Sequence, residues 1–209
     1  MIIKKIKENI LKINLKKIIK TKSVSDKDCF YISKNVNSEV TKRYLPDILD
    51  IILLEKNENL LNILIRNKIN PNIKVNGIPL LNKVVKEFMV STIDTIIENN
   101  PDTISNVNVH AYQENKIAIL FHTIQKSELT NLTFLIENLS DNNDLETLNK
   151  IWNIIKNDDV ERLKNFANKV IKISYSTNNF DFMIKSFSIF ALNDEDYSQK
   201  TLSLLKNRK

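Results

Sequence analysis

Three side chains in the sequence are suited to nucleophilic or metal chemistry, namely Cys29, His110 and His122. A thiolate beside an imidazole forms a nucleophile–base pair, and both residue types ligate zinc. Neither histidine lies at a metal-ligand spacing from the other or from Cys29, and the chain has no H-x-x-x-H or C-x-x-C motif. Only the fold could bring Cys29 to either histidine, and His122 falls beside a predicted core face, where we expect a structural role. We therefore predict a non-enzymatic protein with no catalytic residue, metal site, cofactor or small-molecule substrate.

Glycine is nearly absent, since Gly77 is the only one in the chain. Walker, kinase and G-x-S-x-G loops all need several glycines, so the sequence excludes them. The cluster Asp141-Asn-Asn-Asp144 lacks the glycine and the spaced carboxylates of a calcium loop, and we predict a simple turn there. A composition of 42% hydrophobic and 27% charged residues is typical of a globular protein, and the shortage of glycine disfavours a turn-rich β fold.

The positive charge is confined to the N-terminal segment. Residues 1–22 contain eight lysines and one acid, Glu8, for a net charge of +7. Residues 23–209 carry a net charge of −1, which together with the first segment makes the +6 of the whole chain. A nucleic-acid-binding protein usually spreads basic charge over one face of its folded domain. The confinement of charge to residues 1–22 therefore disfavours a nucleic-acid-binding function.

The pattern of residues 1–22 predicts an amphipathic helical segment with two apolar stripes. Ile2, Ile3, Ile6, Ile10 and Ile13 form one stripe, and Leu11, Leu15, Ile18 and Ile19 form the other, at a different angle on the helical wheel. One straight helix cannot bury both stripes against one surface, so we expect a bend or two short helices. Two interpretations stay open: a structural cap on the following repeats, or a basic helix that contacts an anionic membrane, a nucleic acid or a partner. Residues 23–42 are either a loop or an eroded repeat, with Ser25 or Asp26 as a helix N-cap.

One phrase occurs three times, at residues 49–70, 81–102 and 120–141, with the apolar residues in shared columns. Each copy predicts two short helices across a polar turn. The expected core positions are Leu49, Ile52, Leu53, Leu61, Leu64 and Ile65 in the first copy, Leu81, Val84, Val85, Ile93, Ile96 and Ile97 in the second, and Leu120, Thr123, Ile124, Leu132, Leu135 and Ile136 in the third. Helices this short are unstable alone and fold by stacking on their neighbours. The sequence thus predicts a short α-solenoid.

The copies start at Leu49, Leu81 and Leu120, a spacing close to the period of ankyrin repeats. Asn70-Pro71-Asn72 matches the closing D-P-N of that family, and Gly77-Ile78-Pro79-Leu80-Leu81 approximates its opening T-P-L. The chain resembles a degenerate ankyrin-repeat array. Where the family has its inter-helix glycine, the sequence has Lys56, Phe88 and Ser127, so we expect strained φ > 0 there, with Asn57 as an alternative left-handed residue in its copy. The longer spacing before the third copy predicts an enlarged finger loop at residues 103–116.

The resemblance implies a domain organisation and a binding surface. We expect a basic helical cap or extension at residues 1–42 and an array of about four to five repeats at residues 43–209. The fourth copy would begin at Ile151, turn at Asn157-Asp158 and bury Trp152, Ile155, Val160 and Leu163. A degenerate last pair would comprise residues 180–192 and 197–205, around a turn at residues 193–196, with residues 206–209 frayed.

Ankyrin arrays bind protein partners through a concave face of finger loops and first helices, and here the resemblance implies a partner-binding role for Lys74, Asn76, Lys86, Glu87, Tyr112, Gln113, Gln125 and Lys126. Tyr112 would be the main anchor, or would pack onto its own loop instead. Similar AT-biased ankyrin chains occur in intracellular bacteria and large viruses, where they engage host proteins, so we expect a monomer that binds a protein partner in the cytoplasm, including that of a host cell. No signal peptide or membrane span is predicted. The alternative is a peripheral membrane- or nucleic-acid-associated protein that acts through residues 1–22.

Overall fold

The computed structural model describes residues 2–155 and 160–191, and within them the chain is all-helical apart from one short hairpin. The twelve α-helices of this part of the chain are α1 (Ile2–Thr21), α2 (Asp26–Lys34), α3 (Glu39–Leu54), α4 (Glu58–Arg66), α5 (Leu80–Lys86), α6 (Val90–Asn99), α7 (Ile104–Gln113), α8 (Ile117–Lys126), α9 (Thr133–Asp141), α10 (Leu145–Ile155), α11 (Val160–Ser176) and α12 (Phe180–Ala191). Strands β1 (Lys74–Val75) and β2 (Ile78–Pro79) form the hairpin, and 3₁₀ turns occupy Pro101–Thr103 and Leu129–Leu132. None of the described helices is long and apolar enough to cross a membrane.

The described residues divide into two compact units. Unit 1 comprises residues 2–103 and 114–116, and unit 2 comprises residues 104–113, 117–155 and 160–191. The predicted boundary between residues 42 and 43 lies inside α3.

Consecutive helices are joined in pairs by a left-handed residue just after the first helix of each pair. These residues are Lys22, Lys56, Phe88, Asn115, Asn143 and Asn178, with φ between 50° and 61°. At four of these junctions, those at Lys56, Phe88, Asn143 and Asn178, the left-handed residue and the residue after it both donate backbone hydrogen bonds to the last turn of the helix. For example, Lys56 N–H donates to Leu53 O and Asn57 N–H donates to Ile52 O. The described chain therefore contains six helical hairpins, from α1–α2 to α11–α12, and we call each junction an elbow.

Polar side chains right after three elbows start the next helix. Asn57, Asp144 and Asn179 each accept a hydrogen bond from a backbone N–H in the first turn of α4, α10 and α12, at 3.2, 2.9 and 3.1 Å. Such caps satisfy backbone donors that a helix leaves open at its N-terminus. The pairing of a left-handed residue with an N-cap residue makes a sharp reversal without glycine.

In unit 1, alternate helices stack on each other: α1 packs on α3, while α2 packs on α4 and α4 packs on α6. The first two copies of the repeated phrase fold as predicted, into α3–α4 and α5–α6. Their predicted core positions are buried, except for Ile97, which is half-buried. The left-handed φ expected at Lys56 and Phe88 is confirmed, whereas Asn57, with φ −86°, is the N-cap of α4 and not a left-handed residue.

Unit 2 follows a different pairing from the one predicted. In it α7 packs on α8 and α9, α9 packs on α11, and α10 packs on both α8 and α12. The third copy was expected to be one hairpin with an elbow at Ser127, but its two helices, α8 and α9, belong to two successive hairpins. Ser127 is absent from the left-handed residues of the described chain, and a 3₁₀ turn leads into α9 instead. The predicted core positions of this copy are nevertheless buried.

The predicted enlarged finger loop at residues 103–116 is wrong, because most of it is α7. Ile104, Val107 and Ala111 recur at helical spacing and are buried, so the segment has a core face of its own. Because α7 pairs with α8, every later hairpin is shifted by one helix relative to the prediction. In the predicted fourth copy, Trp152 and Ile155 are buried in α10 and Leu163 is half-buried in α11. Its turn at Asn157-Asp158 and the side chain of Val160 lie outside the described residues, as do the turn at 193–196, the helix at 197–205 and residues 206–209.

Trp152 anchors an aromatic core in unit 2. Its ring centroid lies 4.6 Å from that of Phe190 and 6.5 Å from that of Phe166, and all three rings are buried. The prediction that Trp152 is a core residue is confirmed.

At the N-terminus, α1 is one continuous helix, so the prediction of two short helices is wrong. It buries Leu11, Leu15 and Ile18 and leaves Ile6, Ile10 and Ile13 exposed. One continuous helix is compatible with both stripes because only one of them is covered. Residues 26–34 of the segment expected as a loop or eroded repeat form α2, which Ser25 starts with a capping box and which buries Cys29 and Ile32.

Candidate partner-binding surfaces

The β1–β2 hairpin (residues 74–79), which we call the finger, projects from unit 1 between α4 and α5. Lys74 pairs with Pro79 and Val75 pairs with Ile78, around a turn in which Asn76 and Gly77 have φ of 52° and 80°. Two successive residues with φ > 0 match the tight hairpin turn that Asn-Gly favours. Within the finger, the side chain of Val75 is buried, while those of Lys74 and Asn76 are exposed. The predicted site residues Lys74 and Asn76 therefore lie on an ordered hairpin.

The base of the finger is fixed by the backbone. Leu80 N–H donates to Ile73 O at 2.8 Å, and Leu81 N–H donates to Pro71 O at 2.9 Å. The Asn70 side chain accepts from Asn72 N–H at 2.9 Å, which forms the turn after α4. The Asn70-Pro71-Asn72 motif thus serves as the structural support of the finger.

Beside the finger lies a shallow groove of about 270 Å³ in unit 1. It runs along α3 and α5, and we call it the α3–α5 groove. Its lining residues are Asp50, Leu53, Leu54, Lys56, Ile78, Lys83, Lys86 and Glu87. Leu54 is 78% exposed and Ile78 is 46% exposed, so the groove offers apolar surface to solvent. The predicted site residues Lys86 and Glu87 are among its lining residues.

Two ion pairs cross the groove. Lys83 Nζ lies 3.3 Å from Asp50 Oδ1, and Lys56 Nζ lies 3.0 Å from Glu87 Oε2. The hydrogen bond from Lys56, together with its positive charge, lowers the pKa of Glu87 below its ordinary value. Lys86 has no ion pair with any residue that the structure describes. The groove therefore combines apolar contact area with two neutralised carboxylates and one additional cation.

The other four predicted residues lie in unit 2. Tyr112 and Gln113 end α7, and Gln125 and Lys126 end α8. Gln113 Nε2 donates to Asn138 Oδ1 at 3.3 Å, so it contacts a neighbouring helix. Tyr112 is half-buried: burial raises its pKa to about 12, and the nearby Asp144 carboxylate contributes both by its charge and by its hydrogen bond. Tyr112 thus sits on a helix against the α9–α10 elbow, and not on an extended loop as expected.

Several groove residues were missed from the sequence. Leu54 ends an apolar run in which Ile52 and Leu53 face the core, and periodicity could have shown that a third neighbour must point elsewhere. Ile78 was treated only as part of the T-P-L-like motif. Asp50 and Lys83 are 33 positions apart in the chain, and no local sequence pattern predicts their contact.

A second exposed apolar surface lies on α1. Ile6, Ile10 and Ile13 are 52%, 51% and 66% exposed, and we call them the isoleucine face. The described lysines of this helix, Lys5, Lys7, Lys12, Lys16, Lys17 and Lys20, are all exposed as well. This surface is apolar and basic, unlike the mixed charges of the groove.

The residues suited to nucleophilic chemistry are buried or half-buried on helices. Burial raises the pKa of the Cys29 thiol to about 12, and the charges of Asp26 and Asp28 add to the effect. A thiol with such a pKa is almost entirely protonated near neutrality, whereas the thiolate is the nucleophile. His110 is half-buried on α7 and His122 is half-buried on α8. Among the described residues, no three His, Cys, Asp or Glu side chains are grouped so that they could hold a metal ion.

Comparisons with protein-family models, with curated proteins and with solved structures found no match to this chain. The structure shows the class of fold: the described chain is an all-helical protein whose neighbouring helices pack on each other.

Proposed function

We propose that this chain is a non-enzymatic protein-interaction module of the ankyrin-repeat type, and that the α3–α5 groove and the finger bind a segment of a protein partner. The observation that carries the proposal is the exposure of Leu54 and Ile78 beside the charged rim of the groove. Exposed apolar residues that are grouped and rimmed by polar ones are typical of binding surfaces.

The architecture of unit 1 supports the comparison with ankyrin repeats. Elbows recur after α1, α3 and α5, at Lys22, Lys56 and Phe88, and a hairpin finger separates α4 from α5. Helical hairpins stacked one on the next, with a β-turn finger between them, are the elements of that family. The closing N-P-N motif lies at the expected point, directly before the finger.

The groove chemistry favours one kind of ligand. Leu54 and Ile78 offer an apolar surface, which suits a leucine or aromatic side chain of the partner. Asp50 and Glu87 are neutralised by their lysines, whereas Lys86 remains available for a carboxylate. We infer that the ligand is a peptide segment with an apolar anchor close to an aspartate or glutamate.

Selection from a displayed library of random peptides tests this function without a known partner. We expect wild-type protein to enrich peptides with an apolar residue near an acidic one. Synthetic versions of these peptides should bind the L54Q/I78T variant at least about tenfold more weakly, since each of the two anchor contacts contributes upward of about 1 kcal/mol. The charge-reversal variant K86E should also bind the same peptides more weakly.

A matched control is F134Q, which replaces an exposed apolar residue of unit 2 and should leave peptide binding unchanged. Circular dichroism and thermal unfolding show that each variant is folded. The proposal is rejected if no peptide is enriched, or if the peptides bind L54Q/I78T as tightly as wild type. A parallel variant, Y112A/Q125A, tests the predicted residues of unit 2, whose role in binding stays a prediction.

A further inference from the structure

We infer that α1 is an interfacial helix that binds an anionic lipid membrane through its isoleucine face. This activity is separate from the proposed peptide binding, because none of the groove residues lies on α1.

The isoleucine face lies on the opposite side of α1 from the residues that bind the rest of unit 1. Leu11, Leu15 and Ile18 are buried, and α1 packs on α3. At 3.6 residues per turn, Ile6, Ile10 and Ile13 fall within an arc of about 60° and extend over about 10 Å of the helix. The helix can therefore contact an external surface without giving up its own packing.

Lysines surround this face. At the same helical pitch Lys17 and Lys20 continue the isoleucine face beyond Ile13, and Lys16 and Lys7 lie about a quarter turn to either side of it, all of them exposed. Glu8 is the only acid between residues 2 and 22. Lysines beside an apolar stripe can extend their charged ends to the headgroup level while the apolar side chains enter the acyl boundary.

The exposed isoleucines and lysines together indicate which kind of partner binds this surface. A nucleic acid would satisfy the lysines but would offer the isoleucines no apolar surface. A second copy of this chain would cover the isoleucines but would bring two lysine-rich helices together, which is unfavourable because like charges repel. An anionic bilayer supplies negative charge and an apolar layer together, and each basic residue near its surface strengthens binding.

Vesicle flotation at about 0.15 M salt tests the inference with the whole chain. The vesicles are phosphatidylcholine alone, or phosphatidylcholine with about one-third phosphatidylserine. We expect wild type to float only with the anionic vesicles. The I6Q/I10Q/I13Q variant should lose at least about tenfold in affinity, because its apolar contact is gone while glutamine keeps the helix. The K16Q/K17Q/K20Q variant, which removes lysines next to the isoleucine face, should lose a similar factor.

Matched controls carry the same substitutions elsewhere. F134Q/Y175Q/I184Q replaces three exposed apolar residues of unit 2, and K27Q/K68Q/K172Q replaces three other exposed lysines; both should float as wild type does. All substituted side chains are exposed, so unchanged circular dichroism and melting temperature verify the fold of each variant.

Four results would overturn the inference. Absence of flotation with anionic vesicles excludes it directly. Equal flotation of I6Q/I10Q/I13Q and wild type shows that lipid does not cover the isoleucine face. Binding of a mixed oligonucleotide as tight as that of vesicles, with loss in the lysine variant alone, indicates a general polyanion surface. A dimer in sedimentation that the isoleucine variant abolishes, without vesicle binding, identifies a second copy as the occupant.

Discussion

The Glu58 carboxylate accepts a hydrogen bond from the backbone N–H of Thr92 at 2.8 Å. Glu58 lies in the first turn of α4, and Thr92 lies in the first turn of α6. The N-cap residue of α6 is Met89, whose side chain forms no capping hydrogen bond. A carboxylate from the preceding hairpin therefore supplies the cap, and its negative charge also suits the positive end of the α6 dipole. The stacking of α4 on α6 thus includes a specific hydrogen bond in addition to apolar contacts.

Replacement of Glu58 by alanine should lower the free energy of unfolding by about 1 kcal/mol, the usual effect of removing an N-cap. Glu58→Gln should lose less, because the amide oxygen still accepts the hydrogen bond. Urea unfolding followed by circular dichroism measures both changes. Glu55→Ala is the control: this exposed carboxylate lies at the C-terminus of α3, so its removal should leave stability unchanged or slightly higher. Equal stability of Glu58→Ala and wild type would contradict the cross-hairpin cap.

Glycine at Lys68 should stabilise the protein. Lys68 follows α4 with φ 69°, and its side chain is exposed. A non-glycine residue in this conformation costs roughly 1 kcal/mol, which glycine avoids. We expect Lys68→Gly to raise the free energy of unfolding by somewhat less than about 1 kcal/mol, since glycine also gains entropy in the unfolded chain.

The same substitution inside a helix should have the opposite sign. Lys172 is exposed in the interior of α11, where glycine is less favourable than an ordinary helix former by about 1 kcal/mol. Denaturant titration of both variants provides the comparison. A loss of stability in Lys68→Gly would show that the left-handed conformation of Lys68 is not strained.

A buried polar cluster links the two helices of the α7–α8 hairpin. Asn108 Nδ2 donates to Ser127 Oγ at 2.9 Å, and Thr123 Oγ1 donates to Asn108 Oδ1 at 2.6 Å. Asn108→Leu alone should lower the free energy of unfolding by about 2 kcal/mol, because it removes two buried hydrogen bonds, while the Thr123 and Ser127 hydroxyls keep their bonds to backbone carbonyl oxygens. The triple variant N108L/T123V/S127A should recover part of this loss, since no hydroxyl then faces the new apolar side chain. Equilibrium unfolding detects both effects, and a triple variant less stable than the single one would contradict the account.

The Lys56–Glu87 pair should make stability depend on pH in the acidic range. Lys56 lowers the pKa of Glu87 in the folded protein, so the pair stabilises the fold above the unfolded glutamate pKa of about 4.3. This contribution is lost as the pH falls through the lower, folded pKa. The difference in stability between wild type and Glu87→Gln should therefore shrink between neutral pH and the acid range. It should be small throughout because both side chains are largely exposed.

Urea titrations at neutral and acidic pH measure this difference. The same Glu87→Gln substitution in a Lys56→Met background serves as the comparison and should show a smaller change, because the partner of the carboxylate is gone. A pH-independent difference for Glu87→Gln would mean that the ion pair does not form in solution.

Local patterns predicted the helices of unit 1 well. Leu49, Ile52 and Leu53, like Leu81, Val84 and Val85, occupy one face by their spacing alone, and the structure buries all six. The pairing of helices in unit 2 could not be predicted in this way. It depends on contacts such as that of Asn108 with Ser127, 19 positions apart, and a repeat register based on apolar columns cannot detect a polar contact.

The candidate surfaces were predicted in part, for a similar reason. Lys86 and Glu87 lie at the groove because the position of α5 followed from its sequence pattern. Which apolar residues stay exposed depends on the neighbouring elements: the two stripes of α1 are equally apolar in sequence, and only the packing of α1 on α3 distinguishes the buried stripe from the isoleucine face.

Each compact unit also contains its own intrinsic reporter. Cys29, the single thiol of the chain, is fully buried in unit 1, and Trp152, the single indole, is buried in unit 2. Because Cys29 is shielded and protonated, a thiol reagent will modify it only after the α2 region opens, and its labelling rate reports the free energy of that opening. Tryptophan emission will follow the aromatic core around Trp152 at the same time. Wild-type protein thus allows the opening of the two units to be timed separately, without an added label or an engineered residue.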